Sequence, residues 1–251
     1  MAVVTGHLGM NFVSALEAAH GGLDALSVLK IAIRKLFPGR IALTSSFGAD
    51  SAVLLHLMSQ VAPDTPVLFL DTGKLFPETI AYRDVLVARL GLTNVRIVTP
   101  SPARLGEEDP SGYLWTVDPD RCCDVRKVEP LAQVLGEFDA WITGRKRFQS
   151  ETRKALPVFE VVESKVKINP LARWQASDIE KYLVEHELPR HPLTARGYAS
   201  IGCATCTTPV KPGEPLRAGR WRHRGKTECG IHNRPQAGGV ASTATTRELA
   251  R

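Results

Sequence analysis

Apolar residues recur along this chain with two periods. In residues 23–36, Leu23, Leu26, Leu29, Ile33 and Leu36 fall on one face of a helix, and residues 11–20 share the pattern. Pro38-Gly39 stops the second helix. Arg40-Ile41-Ala42-Leu43-Thr44-Ser45 is different: a short apolar run that predicts a buried strand. Pro66-Val67-Leu68-Phe69-Leu70, residues 94–98 and Ala140-Trp141-Ile142-Thr143 repeat it. Between them, helical patterns run over 52–58, from Phe76-Pro77 to about Leu90, and from Cys122-Cys123 to about Leu135. Strands alternating with helices over short links predict an α/β fold: a twisted, parallel-rich sheet with helices on both faces.

Residues 99–121, rich in Pro, Gly, Ser and acids, are expected as loop, as are 189–202. Residues 158–162 and 166–168 pattern as a hairpin. Ser177-Asp178-Ile179-Glu180-Lys181-Tyr182-Leu183 patterns as an amphipathic helix capped at Ala176 or Ser177. No repeat or linker divides the chain before residue 232. Residues 1–232 are therefore expected as one domain, an α/β core over about 40–202 followed by a segment over 203–232. Residues 233–251 are small and polar, which predicts a flexible tail without a core role.

Ligands of parallel sheets sit outside the carboxyl ends of the strands. Ser45, followed by Ser46-Phe47-Gly48-Ala49-Asp50-Ser51, lies at such an end and leads into a helix. That arrangement points backbone N–H groups at an anion, with Gly48 for close approach and the Ser hydroxyls as further donors. An ordinary βα turn with Asp50 near a helix start accounts for the same residues equally well. Leu70-Asp71-Thr72-Gly73 ends the second strand, where Asp71 can cap its own turn and still meet a ligand. Arg145, Lys146 and Arg147 follow the strand at 140–143. They suit phosphate or sulfate, although taken alone they read better as a solvated basic loop.

At 43% hydrophobic and 23% charged, the chain can bury an ordinary core. The net charge of +6 suits an anionic ligand or a nucleic acid. No apolar stretch approaches the roughly 18–20 residues of a membrane span, and the N-terminus lacks the pattern of a secretory signal. A cytoplasmic setting is expected, where thiols stay reduced, so five cysteines point to metal or catalysis before disulfides. Four form two pairs, Cys122-Cys123 and Cys203-Ala204-Thr205-Cys206. The second spacing serves metals and redox couples alike, and the tandem pair is unusual for zinc. With Arg126-Lys127 beside the tandem pair, the thiolates favour an iron–sulfur centre. Buried free thiols or a Cys203–Cys206 redox disulfide stay open. The fifth, Cys229, stands apart in Lys226-Thr227-Glu228-Cys229-Gly230-Ile231-His232. Between Arg217 and His232 only Glu228 is acidic.

In combination, Leu70-Asp71-Thr72-Gly73, Cys122-Cys123, Arg126-Lys127, Cys203-x-x-Cys206, Arg217-Ala218-Gly219-Arg220-Trp221 and Glu228-Cys229-Gly230-Ile231-His232 resemble the assimilatory adenylyl-sulfate (APS) reductases. These are the iron–sulfur branch of the APS/PAPS reductase family, PAPS being phosphoadenylyl sulfate. The likeness runs from about residue 40 to His232. The 46–51 turn is similar to the S-x-G-x-D-S loop of ATP pyrophosphatases, and not to the Walker or G-x-G-x-x-G patterns. Three features depart from the family pattern: the stretch Trp221-Arg222-His223-Arg224-Gly225 is more basic, the chain extends beyond the usual end, and the phosphate loop carries Asp50-Ser51, closer to the pyrophosphatase pattern.

The resemblance implies an adenine nucleotide alpha hydrolase-like fold and thioredoxin-dependent reduction of APS to sulfite and AMP in sulfate assimilation. It implies Cys229 as nucleophile and one [4Fe-4S] cluster on Cys122, Cys123, Cys203 and Cys206, with an organising and electrostatic role. Ser45, Ser46, Gly48, Asp50 and Ser51 would meet phosphate, and Leu70, Asp71, Thr72 and Gly73 the adenosine side. Lys127, Arg145, Arg147, Arg217, Arg220 and His232 would offset the charge of the sulfate that a thiolate must approach. Thioredoxin and APS are the implied partners, a homo-oligomer is compatible with this reading, and neither nucleic acid nor membrane is expected. PAPS is the alternative substrate. Two rivals use the same residues: an ATP pyrophosphatase-type adenylyltransferase, such as a tRNA-thiolating enzyme, and a non-enzymatic metal module binding nucleic acid. The Cys229 motif argues against the first, and salt-sensitive nucleic-acid binding would mark the second.

Overall fold

The computed structural model describes residues 6–222, 224–226, 228–232 and 245–248, without the side chains of 6–9 and 245–248. Two helices open it, α1 (Gly6–His20) and α2 (Ala25–Ile31). Asp24 caps α2 by accepting from the Ser27 N–H at 2.9 Å, and five π-helical residues, Ala32–Leu36, close it. The expected alternation follows: β1 (Ile41–Ser45), α3 (Ser51–Val61), β2 (Val67–Leu70), α4 (Pro77–Leu90) and β3 (Val95–Thr99). Three short helices come next, α5 (Pro102–Glu108), α6 (Leu114–Val117) and α7 (Pro119–Cys123). Then come α8 (Glu129–Leu135), β4 (Ala140–Ile142), the hairpin β5 (Phe159–Val162) and β6 (Lys165–Ile168), and α9 (Ala176–Glu185). The last described strand is β7 (Thr245–Glu248).

One sheet takes the order β5-β6-β4-β1-β2-β3-β7. Strands β6, β4, β1, β2 and β3 run parallel, and β5 and β7 are antiparallel edges. Alternation within the strands sorts the core. Ile41, Leu43, Val67 and Phe69 belong to one apolar cluster with Val28 and Leu29 of α2 and Leu55 and Met58 of α3. Ala42, Leu68, Val98 and Trp141 point the other way, onto Leu131, Val134 and Leu135 of α8. The sheet is thus parallel-rich with helices on both faces, as the apolar runs predict. The strand order turns round at β1, with β2 and β3 on one side and β4 and β6 on the other. A crevice therefore opens outside the carboxyl ends of β1 and β4.

Several local expectations are corrected. Residues 99–121 are not loop but hold α5, α6 and most of α7. Pro102 and Pro119 start helices, because a proline at the first helical position has no N–H to leave unbonded. The helix expected from Cys122 to Leu135 begins at Pro119 and passes through five π-helical residues, Asp124–Val128. Pro130 explains the interruption: it lacks an N–H, and its ring would meet the Arg126 carbonyl of a regular helix. Helix α9 is capped at Gln175, through a box shared with Asp178, rather than at Ala176 or Ser177. The 189–202 link contains a 3-10 turn, Pro192–Arg196. Residues 245–248, expected in a flexible tail, form β7 against β3; residues 233–244 and 249–251 lie outside the described residues.

Candidate active site

A cavity of about 670 Å³ opens at the crevice between β1 and β4. Its floor is the turn after β1. Phe47 takes a left-handed backbone (φ 46°), which a buried edge-on packing against Phe69 holds in place. The Phe47 N–H donates to Ser45 Oγ at 3.1 Å. At Gly48 a Cβ would sit 3.3 Å from the Ile201 carbonyl oxygen, so a side chain there would crowd the 201 loop. Ser45, Ser46, Gly48, Asp50, Ser51, Leu70 and Thr72 all line the cavity.

The same cavity is lined by cations. Lys127, Arg145, Arg217 and Arg220 line it with Cys229 and His232. Burial pushes both Arg145 and Arg217 down to about 10, which leaves them cationic at neutral pH. Burial also opposes the charge on Lys127, but the thiols of Cys203, Cys123 and Cys229 outweigh it and hold its pKa above the ordinary lysine value. Among the described residues, Arg145 Nε, Arg220 Nε and His232 Nδ1 are buried without a hydrogen-bond partner. Buried polar atoms are rarely left so, and two of these are N–H groups that suit an anion.

Three expected ligands lie elsewhere. Asp71 accepts from the Gly73 N–H at 3.0 Å, capping its own turn, and neither residue lines the cavity. Arg147 turns away and donates to the Leu156 carbonyl at 2.8 Å. Asp50 lines the cavity but is paired with Lys146 at 3.0 Å, a lysine only 2% exposed. His232, expected among the cations, is disfavoured as one: burial first, then Lys167, Arg145, Arg153 and Arg217, hold its pKa well below the ordinary value. Its ring stacks on Trp141, with centroids 6.0 Å apart.

Sequence reasoning also passed over three residues. In the sequence Lys146 stands out only as part of a basic run. Arg153 grips Glu228 through two bonds of 2.9 and 2.8 Å. Lys167 lies fully buried on β6 with its Nζ 4.7 Å from the Trp141 ring centre. No local signal marks it as interior, since Lys165-Val166-Lys167-Ile168 alternates as a half-exposed strand does.

All five cysteines are free, and Cys122, Cys123 and Cys203 are buried. The paired cysteines feel one another. Burial, and then Cys123, push Cys122 up to about 11, with Cys203 and Cys206 adding to the rise. Cys203 goes the other way: Lys127 and a 3.3 Å contact with the Thr72 hydroxyl overcome its burial and lower it. Arg126 braces this region, pairing with Asp109 at 2.5 Å and donating to the Thr72 carbonyl at 2.7 Å. Among the described residues no three His, Cys, Asp or Glu side chains stand as a closed metal site. The donor set, four free thiols from the end of α7 and the 203–206 turn, is nevertheless in kind the one that takes iron and sulfide.

Comparison with known proteins agrees with this arrangement. Residues 40–209 match the phosphoadenosine phosphosulfate reductase domain model. An adenosine 5'-phosphosulfate reductase of Mesorhizobium japonicum is 54% identical over 87% of this chain and 86% of its own. One from a Chelativorans species is 51% identical over 86% and 89%. A crystal structure of phosphoadenylyl-sulfate reductase from Candida auris in complex with phosphate superposes with a TM-score of 0.68 at 27% identity, covering 83% of this chain and all of that one. Since the family match runs from β1, across the cavity turn and the tandem cysteines, to the loop of Cys203 and Cys206, the chain belongs to the phosphoadenosine phosphosulfate reductase family.

Proposed function

We propose that this protein reduces adenylyl sulfate to sulfite and AMP, with thioredoxin as the reductant and the cytoplasm as its setting. The observation that carries the reading is the place of Cys229, in the wall of a cavity that also holds the turn after β1 and Lys127, Arg145, Arg217 and Arg220. The Cys229 thiolate attacks the sulfur of the bound anhydride. A sulfur–sulfur bond forms, the sulfur–oxygen bond breaks, and AMP leaves with the electron pair. A thiolate of the reductant then attacks Cys229 Sγ, sulfite leaves with its pair, and the second thiol of the reductant resolves the mixed disulfide.

The side chains divide this work. The N–H groups and hydroxyls of the 45–51 turn receive the nucleotide phosphate. Lys127, Arg145, Arg217 and Arg220 neutralise the sulfate and so allow an anionic nucleophile to approach. The neutral His232 is placed to give or take a hydrogen bond without adding charge. Cys122, Cys123, Cys203 and Cys206 would hold one [4Fe-4S] cluster, which would supply a fixed charge and a brace between the end of α7 and the 203–206 turn.

The test is intact-mass analysis after incubation with adenylyl sulfate and no reductant, then peptide mapping. The expected result is a sulfonate adduct on the Cys229 peptide, discharged as sulfite by thioredoxin. Absence of the adduct with both adenylyl sulfate and its 3'-phosphorylated form would overturn the reading, and their relative rates rank the two substrates.

A further inference from the structure

The nucleophile's own segment is gripped on both sides, and the two main grips, Arg153 and Lys167, are residues to which the chemistry gives no role. On one side Glu228, immediately before Cys229, takes two bonds from Arg153 and a third from Arg217 at 3.2 Å. Arg153 is 7% exposed and is itself held by the Gln149 side chain at 2.6 Å. On the other side, the Lys167 amine donates to the His232 carbonyl at 3.3 Å. The His232 ring stacks on Trp141, whose face also meets that amine. Ile231 packs against the apolar cluster of Leu68 and Trp141. Between Glu228 and His232 lie Cys229, Gly230 and the packed Ile231, and the φ of 88° at Gly230 lets the backbone turn there.

We infer that Arg153 and Lys167 are positioning residues, which hold Cys229 toward the cavity by gripping Glu228 and His232. The inference rests on the proposed reductase reading for the identity of the electrophile, but not for the grip. Arg153 acts by a charge-assisted two-point bond that fixes the direction as well as the distance of the Glu228 side chain. Lys167 acts as a hydrogen-bond donor in a dry site, a role that a neutral amine also fills. Together they remove the freedom of a segment that would otherwise have to be ordered at the moment of attack.

The experiment compares the full-length wild type with Arg153→Met, Lys167→Met, Glu228→Gln and the double Arg153→Met/Glu228→Gln. Amide hydrogen exchange of the peptide spanning 228–232 reads the grip directly. Exchange there is expected to rise at least tenfold in the single variants, with circular dichroism unchanged. The rate constant for S-sulfonation of Cys229 at saturating adenylyl sulfate is expected to fall about tenfold or more, with KM moving less than about threefold. The double variant should be no slower than the slower single, because Arg153 acts through Glu228. Wild-type exchange in folded Arg153→Met would overturn the inference, as would a loss confined to KM. Should Lys167→Met fail to fold, the Arg153 and Glu228 variants decide alone. A wild type that forms no S-sulfonate sinks the reductase reading, while the exchange data still judge the grip.

Discussion

Replacing Lys167 by Met should flatten the pH dependence of stability in a calculable way. Lys167 is fully buried, and burial, followed by the nearby Arg145 and Arg153, pushes its pKa from 10.5 down to about 6. Between those values the unfolded chain binds a proton that the folded chain does not, so stability climbs with pH. Below about 6 both states hold the proton and the slope vanishes. Within the window the slope is about 1.4 kcal/mol per pH unit, so raising the pH from 7 to 9 adds roughly 2.7 kcal/mol to the wild type. Methionine carries no such proton. The variant should be the more stable protein at pH 7, and its advantage should shrink by roughly 2–3 kcal/mol by pH 9. Urea unfolding followed by circular dichroism at pH 7, 8 and 9 measures this, and the difference between the two proteins cancels every group they share. Parallel curves would refute the argument. They would mean that Lys167 stays charged in the fold, with Glu160 at 3.6 Å as its counter-ion.

Three further outcomes follow from other parts of the molecule. Asp109→Ala strands the buried guanidinium of Arg126, its partner at 2.5 Å, and should cost about 3–5 kcal/mol in urea unfolding. Gly219→Ala puts a Cβ 2.0 Å from the Thr208 carbonyl oxygen; this backbone cannot yield cheaply, so a loss of about 1–3 kcal/mol and a raised KM are expected from displacement of the Arg217–Arg220 turn. Cys203→Ser removes one of the four thiols proposed to hold iron, and metal analysis should find the iron content at or near zero.

The parallel core was legible because its strands are buried on both faces. Such strands appear as unbroken apolar runs whatever the rest of the chain does. The cavity turn was legible because a strand, a small polar turn and a helix follow one another within about a dozen residues. What escaped depended on distant partners. Asp50 looks like a ligand until Lys146, 96 residues on, is seen to take its charge. Lys167, in Lys165-Val166-Lys167-Ile168, alternates like a half-exposed strand. Its side chain shares the Trp141 face, and the His232 carbonyl that it meets lies 65 residues away. The low pKa of His232 escaped for the same reason, since burial and the basic groups packed round it, Arg145, Arg153 and Arg217 among them, set it. The short helices over 102–123 were hidden by composition: proline and acidic residues mark loops and also helix starts.

The Lys167 predictions pull in opposite directions, and that opposition is informative. Global stability should gain from Lys167→Met because an amine has been taken out of water and stripped of its proton. The segment over 228–232 should loosen in the same variant, because the donor to the His232 carbonyl is gone. Global unfolding and local opening are separate quantities, so both can hold in one molecule. A residue whose removal stabilises the whole while freeing the nucleophile is not explained by packing. It is explained if the position of Cys229 is what the buried amine maintains, at a cost to stability that functional sites commonly carry.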